Sequence, residues 1–160
     1  MKISFSFFLL LIFSNNPNLV EIRKAFPTAA NSETTATAFA VKLEDVTADD
    51  KVLLAYKGAS ITMVAKFKKK VSEKISTFKE GSKLIEIAVV SEPNNIEIRL
   101  IRLSIQENVP GIVNYKKNIK DDAGFIVKHF KEQNSILKEY IRNFVLQSKS
   151  FSAEEKLTFK

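Results

Sequence analysis

The sequence predicts an all-α fold, with antiparallel helical hairpins laid side by side in a right-handed stack. Three observations carry this. The 160 residues include four glycines and four prolines, too few for the many tight turns of an all-β protein. Apolar residues recur at three- and four-residue spacing along most of the chain. Pro93-Asn94-Asn95 stands between two such runs, where a proline ends one helix and an asparagine can cap the next. Hydrophobic residues make up 45% and charged residues 27%, which suits one globular domain with its own core rather than a disordered chain.

The elements follow in order. Met1-Lys2, the apolar run Ile3 to Phe13 and the polar boundary Ser14-Asn15-Asn16-Pro17 read as a signal peptide over residues 1–16, so the protein is expected to be exported, periplasmic or secreted. The run is roughly half the ~20 residues of a spanning helix. No Ala-x-Ala precedes the boundary, and the alternative is an apolar amino-terminal helix. Residues 17–147 form the predicted helical domain. Leu19, Val20, Ile22 and Phe26 give about two turns that Pro27 stops. Asn31 or Ser32 caps a second helix to about Leu43, with Ala36, Phe39 and Ala40 on one face. Asp49 or Asp50 caps a third, running through Tyr56 to Phe67. Its Gly58-Ala59 reads either as a close-approach point or as a tolerated glycine costing about 1 kcal/mol.

A fourth helix, from about Ser76 to Val90, buries Phe78, Ile85, Ala88 and Val89. Gly81 and Ala88 lie seven residues apart, on a face that a neighbouring helix can approach closely. Pro93 blocks continuation. In the fifth helix, Ile96 to about Glu107, Ile96, Leu100 and Leu103 fall on one face and Ile98, Ile101 and Ile105 almost opposite. A helix apolar on two sides packs between two others. The alternation of Ile96, Ile98 and Leu100 also fits two short strands, but the length and the lack of turn residues favour helix. Pro110-Gly111 breaks the chain. Further helices run from near Asn118 or Asp121 to about Phe130, and from Ile136 to Leu146 behind an Asn134-Ser135 cap. Ser152 and Glu155 have capping-box spacing, yet no apolar face follows, so residues 148–160 are expected to fray.

The run Phe78, Gly81, Ile85, Ala88, Pro93, with Pro93-Asn94-Asn95 at its end, resembles the second helix and terminal proline of a tetratricopeptide repeat. The likeness covers about half a repeat. The helix holding Tyr56 and Gly58 stands about ten residues too far upstream for the usual length. Arg99 and Arg102 occupy positions where the pattern has large apolar residues. The resemblance therefore implies a divergent repeat-like stack. The longer pattern Leu54-Ala-Tyr56-Lys-Gly58-Ala, Pro93-Asn-Asn-Ile-Glu-Ile-Arg99-Leu-Ile-Arg102-Leu-Ser-Ile-Gln106-Glu-Asn108-Val-Pro110 and Tyr115 resembles a family of small exported bacterial helical proteins. That family implies export and a helical fold and brings no activity with it.

Candidate chemistry is sparse. There is no cysteine, hence no disulfide or thiolate, and the single histidine, His129, removes every two-histidine metal site. No cofactor, metal or catalytic set is expected, and the protein reads as a non-enzymatic module binding a protein or peptide. Arg99, Arg102, Gln106 and Asn108, with Tyr115 and Tyr56, are the densest polar set on otherwise apolar sequence. They form either a site for an anionic ligand or peptide terminus, or arginines paired with acids such as Glu97, Glu107 or Glu86. Lys66, Lys68, Lys69, Lys70 and Lys74, continued by Lys79 and Lys83, make a basic surface in a chain of pI near 9.5. This is a solvated face or, as the second functional reading, a patch held on an anionic membrane surface. No nucleic-acid motif accompanies it. His129 reads as structural, and Asp121-Asp122 as a helix start.

Overall fold

The computed structural model describes residues 17–160; the expected signal peptide, residues 1–16, lies outside them. Every regular element among the described residues is helical. The α-helices are α1 Leu19–Ala25, α2 Glu33–Val41, α3 Lys51–Ala65, α4 Val71–Ser91, α5 Ile96–Asn108, α6 Ile119–His129, α7 Ser135–Gln147 and α8 Ala153–Leu157. Short 3-10 turns span Phe26–Asn31, Gly111–Val113 and Phe130–Glu132. None of the described helices is long and apolar enough to cross a membrane.

Side-chain caps set most of the starts. Asn18, Ser32, Asp50, Asn95, Asn134 and Ser152 each accept a hydrogen bond from a backbone amide of the first turn that has no partner within its helix. Pro27 does not stop the chain's helical course. It sits in the first turn of the 3-10 segment that continues α1, where a missing N–H costs nothing. The helix expected from Ser76 begins at Val71 instead, at a position whose N-cap, Lys70, makes no side-chain capping bond.

The most extensive helix–helix contact joins α3 to α4, and they run antiparallel, since Gly58 lies against Gly81 and Ile85 while Thr62, one turn later in α3, lies against Gly81. They touch at Gly58 and Gly81, so the close approach anticipated at both positions is a single contact.

Helix α5 has the two-sided environment its sequence demands. Ile98, Ile101 and Ile105 belong to a core built with α1, α2, α3 and α4, around Phe26, Phe39, Leu43, Tyr56 and Ile85. Ile96, Leu100 and Leu103 belong to a second core with Ala123, Ile126, Phe130, Leu137, Ile141 and Val145. At roughly 1.5–3 kcal/mol for each fully buried aliphatic side chain, both flanks contribute strongly to stability.

The carboxyl-terminal segment corrects an expectation: residues 148–160 do not fray. Ser152 and Glu155 complete a capping box for α8. Phe151 and Phe159, one on either side of that short helix, enter the second core, and Phe159 is 0% exposed. Arg142 of α7 donates to the Phe159 carbonyl and ties the end down.

Candidate functional site

Two polar networks, each built on a buried carboxylate, and one groove are the features that could carry chemistry. The first network joins α4, α5 and α6. Asp122 in the first turn of α6 is 0% exposed and takes a bidentate pair from Arg102, Nε to Oδ2 and Nη2 to Oδ1, both at 2.7 Å. Arg102 Nη1 donates to Glu86 at 2.9 Å, and Tyr115 donates to the other oxygen of Glu86 at 2.7 Å. Arg99 adds a bond to Asp122 at 3.0 Å, donates to the Pro93 carbonyl at 2.9 Å and lies over the Phe125 ring at 4.5 Å. Burial pulls the Arg102 guanidinium down, but the hydrogen bonds and charge of Asp122, with Glu86 behind them, outweigh it and hold it above its ordinary value. Burial, then the bond to Glu86, pushes the Tyr115 hydroxyl far up. Two arginines thus face two carboxylates, and the guanidinium forks are occupied inside the fold.

The second network ties the amino-terminal helix to the centre. Arg23 of α1 grips Glu97 of α5 through Nε at 2.8 Å and Nη2 at 2.5 Å. Tyr56 of α3 donates to Glu97 at 2.8 Å and lies 2.9 Å from the Tyr140 hydroxyl of α7. The hydrogen bond to Glu97 raises Arg23 above its ordinary value. Burial raises both tyrosines well above theirs, Tyr56 and Tyr140 alike. Four helices are held at one point by groups that would each be costly to bury alone.

The groove opens beside this second network and has a volume of about 1010 Å³. One wall is α7, presenting Ile136, Tyr140 and Phe144 with Glu139, Asn143 and Gln147 beside them. The rest comes from α1, the end of α3, the start of α4, and the end of α5 with the Gly111–Val113 turn. Phe26, Met63, Phe78 and Ile105 give it an apolar lining, and Lys24, Lys66, Lys74 and Lys149 stand at its lips. Val20, Val71, Ile112 and Ile136 line the groove and are exposed, large apolar side chains left at its rim.

The residues singled out from the sequence are divided among these features. Arg99, Arg102 and Tyr115 meet in the first network. Glu86 was anticipated as a partner there; Asp122 was not. Tyr56 belongs to the second network, where Glu97 serves Arg23 rather than Arg99 or Arg102. Gln106 is fully buried, and neither atom of its amide has a hydrogen-bond partner among the described residues. Asn108 is exposed at the end of α5, donates to the Ser104 carbonyl at 2.8 Å and lines the groove. Glu107 accepts from the Ser148 hydroxyl and, at 3.1 Å, from the Ser150 amide.

Lys68, Lys69 and Lys70 are exposed in the α3–α4 connection, and Lys70 pairs with Glu73 at 3.4 Å. Lys66 donates to the Ala30 carbonyl at 3.1 Å. His129 lies 2.9 Å from Glu132 and packs on Phe125, as a surface contact at the end of α6. Among the described residues no group of three or more histidine, aspartate and glutamate side chains is arranged to hold a metal ion.

Asp122 carries a sequence signal of its own, beyond its place in the helix-starting pair Asp121-Asp122. It falls on the stripe Ile119, Asp122, Ile126, Phe130, the apolar face of α6, where an acid must find a buried partner. The groove had none, because its walls come from segments far apart in the chain. The chain matches no known family model, no curated protein and no solved structure.

Proposed function

We propose that the protein is an exported, non-enzymatic interaction module, a divergent tetratricopeptide-like stack of helical hairpins whose groove binds a protein or peptide. The observation that carries this is the groove, with its apolar lining, lysines at its lips and exposed apolar rim. At about 1010 Å³ it lies at the upper end of the roughly 300–1,000 Å³ usual for small-molecule pockets. A small molecule sunk into it would leave Val71, Ile112 and Ile136 wet, whereas a polypeptide laid across covers them. The close glycine contact of the α3–α4 hairpin supports the repeat-like packing. The pairing of Arg99 and Arg102 with acids supports a structural role for that stripe.

Selection of a displayed peptide library on the purified protein tests this reading. Selected peptides should shift backbone amide resonances around the groove and lose binding to the Ile112→Asp variant. Peptides that bind equally well to that variant, or a library that yields none, would overturn it. The exposed Lys68-Lys69-Lys70 run favours a second reading, a peripheral protein on an anionic membrane. Under that reading the protein cosediments with phosphatidylserine vesicles and is released as salt shortens the screening length from about 10 Å at 0.1 M.

A further inference from the structure

We infer that the occupant of the groove is an amphipathic α-helix of a partner protein, lying along α7 with acidic residues on its flanks. The inference rests on the binding role proposed above and deepens it.

Helix α7 supplies the first argument. Leu137, Ile141 and Val145 point one apolar stripe into the second core. Ile136, Tyr140 and Phe144, at the same four-residue spacing, line the groove. The two stripes adjoin, about 100° apart around the helix, and Tyr140 and Phe144 also pack at the edge of the second core, so α7 carries one broad apolar face that runs from the core out into the groove. Ile136, 61% exposed, marks the uncovered end. Size gives the second argument. The stretch of α7 from Ile136 to Gln147 is about 18 Å long at ~1.5 Å per residue, and the groove's volume is on the order of two turns of a helix of ~10–12 Å diameter.

Charge gives the third. Lys24, Lys66, Lys74 and Lys149 stand at the lips, and none forms a salt bridge among the described residues. Two glutamates, Glu107 and Glu139, line the groove against these four lysines, and Glu107 is turned toward Ser148 and Ser150, which donate to it. Arg23 is neutralised by Glu97. Such a lip attracts carboxylates and repels a basic helix, while apolar anchors at i, i+3, i+4 and i+7 fill the floor.

The probe is a fluorescein-labelled 15-residue model helix with leucines on one face and glutamates on its flanks, titrated against the full chain by anisotropy. Two control peptides accompany it: one with lysines for the glutamates, and one with two central prolines that forbid a helix. The glutamate helix should bind at least tenfold more tightly than either control. Ile136→Asp should abolish binding, and the double variant K24E/K74E should reverse the charge preference. Equal binding of glutamate and lysine helices, or indifference to Ile136→Asp, overturns the proposal. If the proline peptide binds as well as the helix, the helical occupant is wrong while a peptide groove stands. If no probe binds until Leu9, Leu10 and Leu11 are replaced by aspartate, the chain's own amino-terminal segment is the occupant and the partner helix is wrong.

Discussion

Gly58 of α3 and Gly81 of α4 are in backbone contact: a Cβ placed on Gly58 would lie 2.5 Å from the Gly81 carbonyl oxygen, and one on Gly81 would crowd the Gly58 carbonyl just as closely. Neither neighbour is a flexible side-chain tip, so a methyl group at either position must push two helix backbones apart. Gly58→Ala and Gly81→Ala should each destabilise by about 1–3 kcal/mol, the usual cost of overpacking. Gly124, exposed within α6, has nothing within 4 Å of its Cβ position. There the same change should stabilise by about 0.5–1 kcal/mol through helix propensity. Urea unfolding of the three variants checks the opposite signs.

Asp122 is the hinge of the arginine network. Asp122→Ala leaves Arg102 buried with only Glu86, and should cost about 3–5 kcal/mol. The double variant Arg102→Met/Asp122→Leu removes both charges and should recover most of that loss. Thermal unfolding of the two proteins, compared with the parent, decides. A double variant no more stable than the single one would show that the pair does more than cancel its own charges.

All three tyrosines, Tyr56, Tyr115 and Tyr140, are held above the ordinary value of 10.0. The sign follows from proton counting. Above pH 10 the unfolded chain loses these protons and the folded chain keeps them, so stability is fully present below about pH 10 and falls as pH rises further. Tyrosinate absorbance near 295 nm should therefore stay flat past pH 10 and then rise with the loss of helical circular dichroism. Gradual titration in a folded protein at pH 10 would contradict the buried hydroxyls.

Phe159 anchors the chain's last turn. Its ring lies 4.6 Å from that of Phe130 and 5.8 Å from that of Phe151, centroid to centroid. Phe159→Ala should destabilise by about 3–5 kcal/mol, as a core aromatic does, and should speed amide exchange in α8. A frayed tail would show neither effect.

Much of this architecture is readable in the residues, and the failures have physical causes. Helix α5 was legible because its two apolar stripes are complete within thirteen residues. Starts at Ser32, Asp50, Asn95 and Asn134 were legible because each carries a side chain that caps. The start of α4, five residues before Ser76, leaves no mark in the sequence because Lys70 offers no such side chain and the first turn is largely polar and exposed. The packing of the tail is hidden in the sequence because its anchors, Phe151 and Phe159, flank α8 instead of lying along it. Of the candidate site, the polar stripe on α5 was visible, but which acids complete it depends on where α6 folds back. The groove depends on tertiary placement alone.

Because α5 is the common wall of both cores, neither half of the protein owns a complete interior. Cleaving the chain near Pro110 would give an amino-terminal piece with Ile96, Leu100 and Leu103 stripped of their cover, and a carboxyl-terminal piece lacking its roof. Each should be sticky and poorly ordered by itself, and mixing the two should restore the parent's circular dichroism spectrum.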